Sequence, residues 1–287
     1  MKIVTDCAAY MLPEELEELG IIQIPLYIQF PEGEINATEI DADVFYNRLE
    51  AMRPVIPTTT QPSSGDFEAL YREVAQSERT ILSIHISSGL SGTINSARIG
   101  AEHAAPEADV TLWDTLSLSG GERFQVLAAA LANKAGWTMQ AIQKRLTAIR
   151  EQTEVAYTLE TIEYLARGGR IGRVQALMGS LLKLKPVISV DHADGKYNAL
   201  AKRRTIPQAL TTISEHFAKI YQKTPVWTTV IHARYLPQAE VLANELSGEL
   251  NVAKLEMSRI SPVLGVHTGP GLVGAVVVPM KLMEDLL

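Results

Sequence analysis

The sequence predicts a two-domain fold of the α/β class, with a first domain built on a largely parallel sheet with flanking helices and a second domain of the α+β type. The first prediction depends on short β-rich runs that alternate with helical periodicity, a pattern typical of parallel strands covered by helices. The second depends on a change after about residue 155, where a hairpin signal replaces that alternation. With 287 residues, 46% of them hydrophobic, the chain can form both cores. We therefore predict domains over residues 1–155 and 156–287, although each domain need not be one continuous segment of the chain.

Five short runs are predicted as strands of the first half. They lie at residues 2–5, 21–28, 80–86, 110–113 and 154–157. Between them, apolar residues recur at i, i+3, i+4 and i+7 from Phe67 and again from Phe124, which indicates helices with one buried face. Ser63 or Ser64 suits the N-cap of the Phe67 helix, and Thr138 that of another helix.

The second half begins with a basic, glycine-rich segment, R-G-G-R-I-G-R at residues 167–173, before an apolar stretch that favours helix. Residues 186–190 and 196–201 flank an Asp-Gly turn signal, so they are predicted as an antiparallel hairpin. Apolar helical stripes that include Ile220 and Val241 follow, beside strand-like runs at 226–231 and 252–255.

The composition disfavours several classes of protein. A formal net charge of −7 opposes the basic excess of nucleic-acid-binding surfaces, so no nucleic-acid partner is expected. The single cysteine, Cys7, excludes an internal disulfide and a multi-cysteine metal site, and the six histidines lack HExxH or other close ligand spacing. No apolar run reaches the roughly 20 residues of a membrane-spanning helix, and residues 1–6 are typical of a strand rather than a signal peptide. We expect a cytoplasmic protein with no cofactor, no metal and no integral membrane segment.

Two polar clusters lie at turns. In the first, T-T-T-Q-P-S-S-G at residues 58–65, the threonines lie too far upstream to cap the Phe67 helix. The second, S-S-G-L-S-G-T at residues 87–93, joins a predicted strand to a helix, where free N–H groups and the helix dipole favour a carboxylate or a phosphate. Thr93 stands where a G-x-S-x-G nucleophile elbow needs glycine, so Ser91 is predicted as a hydrogen-bond donor.

A third cluster, V-H-T-G-P-G-L-V-G at residues 266–274, combines a histidine with a glycine-rich loop. Its glycines match the GxGxxG spacing of dinucleotide sites, which requires a strand before the glycines and a helix after them. Here a β-branched run at residues 275–278 follows, so we predict a buried strand and no nucleotide site. The loop would let backbone and the His267 imidazole approach one bound group.

Together these segments resemble the DegV family over nearly the whole chain. The matching segments, in order, are T-T-Q-P-S at 59–63, S-S-G-L-S-G-T at 87–93, R-G-G-R-I-G at 167–172, K-P at 185–186, K-R-R at 202–204 and H-T-G-P-G at 267–271. The resemblance implies a DegV-like fold that holds a long-chain fatty acid in a buried apolar tunnel. It also implies a carrier rather than an enzyme, since the fatty-acid-binding subunits of bacterial fatty acid kinase present the carboxylate to a separate ATP-dependent kinase for phospholipid synthesis.

The resemblance further implies roles for individual residues. The set expected around the fatty acid carboxylate is Thr59, Thr60, Ser91, Gly92, His267 and Thr268. The set expected at the edge that engages the kinase or a phosphate is Arg170, Lys202 and Arg204. The chain departs from the family pattern at Cys7, where the family usually has serine, and at Thr60, where it has serine in T-S-Q-P. Both changes keep the side chain small, so they put fine geometry in doubt rather than binding.

Two questions stay open at this stage. The tail of the fatty acid is expected in an apolar region, for which one candidate set is Leu165, Leu177, Met178, Leu181 and Leu182, although an ordinary core face explains these residues equally well. The alternative function is a hydrolase or acyltransferase that uses Ser91 and His267. The absence of a GxxxxGK[ST] P-loop and of a complete nucleophile set favours the carrier, with catalysis by the partner kinase.

Overall fold

The computed structural model describes residues 1–175 and 184–287. Its strands in chain order are β1 Lys2–Asp6, β2 Ile21–Ile24, β3 Tyr27–Phe30, β4 Gly33–Asn36, β5 Thr58–Thr60, β6 Thr80–His85, β7 Asp109–Asp114, β8 Glu154–Leu159, β9 Lys185–Val190, β10 Tyr197–Arg203, β11 Val226–His232, β12 Val252–Arg259 and β13 Leu272–Pro279. Its α-helices are α1 Pro13–Leu19, α2 Ala42–Ala51, α3 Ser64–Ala75, α4 Thr93–Ala104, α5 Gly120–Lys134, α6 Met139–Gln152, α7 Glu163–Arg167, α8 Ile206–Tyr221, α9 Leu236–Glu249 and α10 Pro262–Thr268.

The first sheet is parallel, as predicted, with strand order β2-β1-β6-β7. Helices α3 and α4 cover one face, where Phe67 and Tyr71 pack against Val4 and Ile81. The other face packs on α5. The parallel arrangement follows from the alternation of strands and helices in the sequence. Each helical crossover returns the chain to the end of the sheet where the previous strand began, so the next strand runs in the same direction.

The second sheet has six strands in the order β10-β9-β8-β13-β11-β12, and only β11 and β12 are parallel neighbours within it. Helices α8 and α9 cover its outer face. Helix α5 lies between the two sheets, in contact with β1 and β6 on one side and with β8 and β13 on the other. The mixed α/β architecture, with a parallel N-terminal sheet and a sheet-rich C-terminal half, confirms the predicted fold class.

Two strand predictions need correction. The run at 154–157 was grouped with the first half, but β8 pairs with β9 and β13 of the second sheet, so the predicted boundary after residue 155 falls inside a strand of that sheet. The run at 21–28 forms two strands that join different sheets. Pro25 separates them because proline has no N–H for a continuous ladder.

Most of the helix and turn predictions are confirmed. Ser63 caps α3 in a capping box with Asp66, and Thr138 caps α6. The hairpin of β9 and β10 forms at the predicted turn. Ile220 and Val241, predicted on inward stripes, are exposed instead, since the buried faces of α8 and α9 are centred on neighbouring positions such as Phe217 and Leu242.

Candidate functional site

Segments from distant parts of the chain enclose a small cavity. Its volume, including the mouth, is about 400 Å³. Its lining includes polar residues, namely three singled out in the sequence and the arginine of the R-G-G-R-I-G segment, and apolar residues; we call these two groups the polar wall and the apolar wall. The lining residues are Leu26, Thr59, Ile86, Leu90, Ser91, Arg170, Tyr197, Val263, Leu264 and His267. We take this cavity as the candidate functional site.

Thr59 and His267 meet directly in the cavity. Thr59 lies in β5, which pairs with β3, and its Oγ1 lies 2.8 Å from the His267 Nε2. The sequence predicted a loop around His267, but His267 lies in the last turn of the fully buried helix α10. Pro262 starts this helix at a position where proline needs no N–H partner, and Gly269 ends it with a φ of 74°. The ring is therefore held by a helix rather than by a mobile loop.

The His267 imidazole is neutral at physiological pH. It is 8% exposed, and burial, followed by the nearby Arg170 guanidinium, lowers its pKa from 6.5 to about 3. Its Nδ1 is buried without a hydrogen-bond partner among the residues that the structure describes. His267 can therefore offer the site one ring N–H or one ring lone pair, but no positive charge.

Ser91 lies at the turn between β6 and α4, as predicted. Its Oγ lies 2.8 Å from the Thr93 Oγ1 and accepts a 3.3 Å hydrogen bond from the Thr93 N–H. Gly92 is the N-cap residue of the twelve-residue helix α4, and a Cβ there would come within 2.9 Å of the Gln61 amide. The turn thus places a hydroxyl and the positive end of a helix dipole beside the cavity.

Arg170, which the resemblance assigns to the edge that engages the kinase or a phosphate, lines the cavity. Its Nη1 donates a 2.7 Å hydrogen bond to the Gly168 carbonyl, and its side chain is half-buried. In the described part of the chain, no carboxylate lies within 4.0 Å of its guanidinium. A cation without a paired carboxylate, beside hydroxyl groups, suits an anionic ligand.

Five of the other predicted residues do not line the cavity: Gly92, which lies beside it in the turn described above, and Thr60, Thr268, Lys202 and Arg204. Thr60 is exposed next to Thr59, because successive side chains of a strand point to opposite faces. Thr268 is buried, and its Oγ1 donates a hydrogen bond to the Leu264 carbonyl within α10. Lys202 and Arg204 are exposed at the far end of β10. At about 3.3 Å per residue, Lys202 lies roughly 16 Å along the strand from Tyr197.

Sequence reasoning missed the apolar wall. Leu90 lies within the S-S-G-L-S-G-T segment, and Val263 and Leu264 lie just before His267. Their proximity to polar motifs is the sequence signal that could have identified them as cavity residues. Ile86, which immediately precedes the S-S-G-L-S-G-T segment, carries the same signal, whereas Leu26, between β2 and β3, and Tyr197, at the start of β10, carry none. Of the predicted tail candidates, Leu165 is buried in α7 outside this cavity wall, whereas Leu177, Met178, Leu181 and Leu182 lie outside the described residues.

The geometry does not assemble a serine nucleophile and its base. The His267 Nε2 contacts Thr59, and the Ser91 Oγ contacts Thr93. The partnerless Nδ1 also shows that no described carboxylate orients the ring, as the third member of a triad would. With a pKa of about 3, His267 is a weak base at neutral pH.

Residues 1–175 and 184–287 contain neither a candidate membrane-spanning helix nor a candidate metal site. None of their helices combines the length and the apolar character needed to cross a membrane. They contain no cluster of three histidine, cysteine, aspartate or glutamate side chains arranged to hold a metal ion.

Comparison with known proteins gives consistent results. The family model described as "uncharacterised protein, DegV family" matches residues 1–280. A DegV domain-containing protein from Streptomyces coelicolor is 35% identical, with 96% of this chain and 97% of the relative covered. The fatty-acid-binding DegV family protein from Thermus thermophilus is 30% identical, with a TM-score of 0.90 and coverage of 97% of this chain and 99% of that chain. DegV, a fatty acid binding protein from Bacillus subtilis, is 32% identical, with a TM-score of 0.87 and coverage of 97% and 98%. The chain described here belongs to the DegV family.

Proposed function

We propose that this protein binds a long-chain fatty acid with its carboxylate in the Thr59–Ser91–His267 cavity and presents that carboxylate to a separate fatty acid kinase. One observation carries the proposal: hydroxyl groups and a cation without a paired carboxylate among the described residues line the same small cavity as a set of apolar side chains. An amphiphilic carboxylic acid matches both walls. Fatty acid binding by the relatives from Thermus thermophilus and Bacillus subtilis supports the same ligand class.

The polar wall offsets the cost of removing the carboxylate from water. An ionised carboxylate without partners in a protein interior costs several kcal/mol, whereas a hydrogen bond to a charged group contributes about 1.5–3 kcal/mol. Thr59 and Ser91 supply hydroxyl donors, and Arg170 supplies the positive charge. On this proposal the head group is oriented by these three side chains.

The apolar tail supplies most of the affinity. A chain of about 16 carbons, at about 0.8 kcal/mol per buried CH₂, contributes about 12 kcal/mol before the costs of association. Leu26, Leu90, Val263 and Leu264 give the cavity an apolar lining, which on this proposal is the start of an apolar path for the tail. We propose that the tail enters along this path.

The kinase would approach the exposed basic residues. Lys202 and Arg204 are exposed, and no described carboxylate lies within 4.0 Å of either side chain. Positive charge on this surface would favour the approach of a nucleotide-bearing partner and of its phosphates. We propose that Lys202 and Arg204 contribute to this surface, whereas Arg170 acts on the head group itself.

The first experiment tests binding. Protein produced in bacteria is examined intact by native mass spectrometry and, after denaturation, by lipid extraction; a co-purifying fatty acid is expected. After delipidation, Ser91→Ala and Arg170→Ala should each weaken palmitate binding by about 10-fold, since each removes one hydrogen bond to a charged group. Protein that repeatedly releases no lipid and does not bind added palmitate would rule out the carrier function.

The second experiment tests presentation to the kinase. The double variant Lys202→Ala, Arg204→Ala should bind palmitate normally but slow acyl phosphate formation by a bacterial fatty acid kinase. Lys219→Ala removes an exposed charge from helix α8 and serves as the matched control. Equal rates for the double variant and the control would exclude this surface. Turnover of an acyl ester by the protein alone, lost in Ser91→Ala, would support a hydrolase instead.

A further inference from the structure

The acidic residues of the chain are concentrated in one segment. Residues 11–50 hold ten of the 33 acidic residues but only one of the 26 lysine and arginine residues. This segment alone is more negative than the whole chain, whose formal net charge is −7, so the rest of the chain is slightly basic. Four of the ten carboxylates form ion pairs, namely those of Glu15, Glu32, Asp43 and Glu50. The other six are exposed, with no described basic group within 4.0 Å, and belong to Glu14, Glu17, Glu18, Glu34, Glu39 and Asp41.

An open groove adjoins this acidic segment. Its volume, including the mouth, is about 970 Å³, which lies in the range of ligand clefts. Its lining comes from residues 10–16, residues 37–42 and residues 259–262, among others, and is mostly apolar. Leu12 is a lining residue that is 47% exposed. The unpaired carboxylates of Glu17 and Glu39 directly follow and precede lining residues in the sequence, so the groove has an acidic border.

Two hydrogen-bonding groups in the lining of this groove have no partner. Ser261 is 3% exposed, and its Oγ makes no hydrogen bond to a described residue. The Arg259 Nε is also without a described partner, whereas its Nη1 donates a 2.7 Å hydrogen bond to Asp43. Buried polar groups in native proteins nearly always have hydrogen-bond partners. A backbone carbonyl of a bound segment would supply the acceptor that both groups lack.

The charge of the border selects the kind of occupant. Exposed carboxylates repel anionic lipid surfaces and nucleic acids. They attract lysine and arginine side chains, while the apolar lining suits the apolar face of a helix. The two features together match a helix-in-groove interaction with a basic amphipathic segment.

We propose that this groove and its acidic border form a docking site for a basic amphipathic helix of a partner protein. The groove includes the last residue of β12, the strand at the opposite edge of the second sheet from β10. At about 4.8 Å between neighbouring strands, the two edges lie roughly 24 Å apart. The docking site is thus separate from Lys202 and Arg204, and the inference does not depend on the proposed function.

The binding test uses a synthetic helix as its probe. A fluorescently labelled peptide of about 18 leucine and lysine residues carries leucine at i, i+3, i+4 and i+7, which places the leucines on one face. Fluorescence anisotropy should show saturable binding that weakens as the salt concentration rises. A peptide of the same composition with leucines distributed around the helix should bind at least 10-fold more weakly. Equal affinity for the two peptides would overturn the docking site.

The charge variant neutralises three carboxylates of the acidic border, as Glu17→Gln, Glu18→Gln and Glu39→Gln. The first two lie in the last turn of α1, where negative charge does not stabilise the helix, so the fold should be retained. Peptide affinity should fall by about 10-fold at low salt, since three exposed charge pairs are lost. The matched control changes the net charge equally at exposed positions of α3 and α9, as Glu73→Gln, Glu240→Gln and Glu249→Gln. Equal losses of affinity in the two triple variants would show general electrostatic attraction and overturn the proposal.

The apolar variant removes an exposed side chain from the groove. Leu12→Ala should lower peptide affinity by a few fold, because less apolar surface is buried on binding. Leu236→Ala is the matched control, since Leu236 is 46% exposed on helix α9 and distant in sequence from every lining segment. Unchanged affinity in Leu12→Ala would contradict binding in the groove.

Two other occupants of the groove are distinguished by further measurements. A dimer in analytical ultracentrifugation that the charge variant dissociates would assign the groove to a second copy of the chain and overturn the proposal. Delipidated and palmitate-loaded protein should bind the peptide equally, and competition by palmitate would assign the groove to the acyl chain instead. If the wild type binds no palmitate, the proposed function fails, while the peptide affinities still decide the docking site.

Discussion

Glu122 is a fully buried carboxyl group in helix α5, between the two sheets. Burial, followed by the nearby Asp6 and Asp114 carboxylates, raises its pKa well above 4.5. Neither carboxyl oxygen has a hydrogen-bond partner within 3.5 Å in the described part of the chain. Glu122 is therefore protonated in the folded protein at pH values where it is ionised in the unfolded chain.

This difference makes Glu122 a source of pH-dependent instability. Unfolding releases its proton at any pH above the unfolded value of about 4.5, so the contribution of Glu122 to stability falls as the pH rises, until the pH reaches the raised folded value. The slope is about 1.4 kcal/mol per pH unit. From about pH 5 upward, the free energy of unfolding should therefore fall as the pH rises, by no more than about 3 kcal/mol over two pH units from this group.

Glu122→Gln should remove the proton release. The amide has nearly the same shape as the protonated carboxyl group and cannot ionise, so the variant should gain stability relative to the wild type as the pH rises. A gain of about 3 kcal/mol, the upper limit over two pH units, corresponds to a rise in Tm of roughly 5 °C for a chain of this size. At pH 5 the two proteins should differ little.

Thermal and urea unfolding, followed by circular dichroism at half-unit steps from pH 5 to 8.5, measures this difference. Glu73→Gln, which changes an exposed carboxylate on helix α3, is the matched control and should show no pH-dependent difference. Because two sheets need not unfold together, midpoints are compared as well as fitted free energies. A constant difference between Glu122→Gln and the wild type across the range would refute a protonated Glu122.

Two further predictions concern elements beside the site. The His192 Nε2 lies 2.7 Å from Glu154, and this contact raises the pKa of His192 above 6.5. The ion pair therefore stabilises the folded protein at low pH, and this stabilisation is lost as the pH rises through the raised pKa. His192→Gln should thus destabilise the protein more at pH 5.5 than at pH 8.5 in urea unfolding, and the opposite order would contradict the pairing. The Cys7 Sγ accepts a hydrogen bond from the Leu26 N–H, so Cys7→Val should cost about 1–3 kcal/mol by leaving that donor buried and unpaired, whereas Cys7→Ser should cost less. Equal losses of stability in the two variants would show that the contribution of Cys7 comes from packing and not from this hydrogen bond.

Local patterns in the sequence predicted the type of most elements but not their partners. The β-branched run at 154–157 was correctly predicted as a strand, yet its neighbours β9 and β13 come later in the chain, and nothing within the run specifies them. Likewise, the stripe from Phe124 indicated one buried face of α5. The helix is buried nearly all round because it lies between two sheets, and that burial depends on tertiary packing.

The same limit applies to the candidate site, where local patterns identified residues but not their orientations or neighbours. The polar motifs supplied Thr59, Ser91 and His267, because clustered hydroxyls, glycines and a histidine at turns are unusual in a core. They could not supply the orientation of each side chain: Thr60 and Thr268 share motifs with cavity residues but point elsewhere. The apolar wall carries no local signal, since Leu26 or Val263 looks like any core residue until the fold places it beside Arg170.

On the proposed function, the low positive charge of the cavity suits a carrier whose bound carboxylate must react with the phosphoryl group of a kinase. His267 is neutral, Thr59 and Ser91 are uncharged donors, and Arg170 is the one cationic side chain on the described wall. Several fixed cations would bind a carboxylate more tightly, but they would also lower its reactivity toward a phosphoryl group, because the attacking oxygen would have to give up those contacts. On the proposed function, the apolar tail provides affinity, and the weakly charged head-group site leaves the carboxylate oriented and available to the kinase.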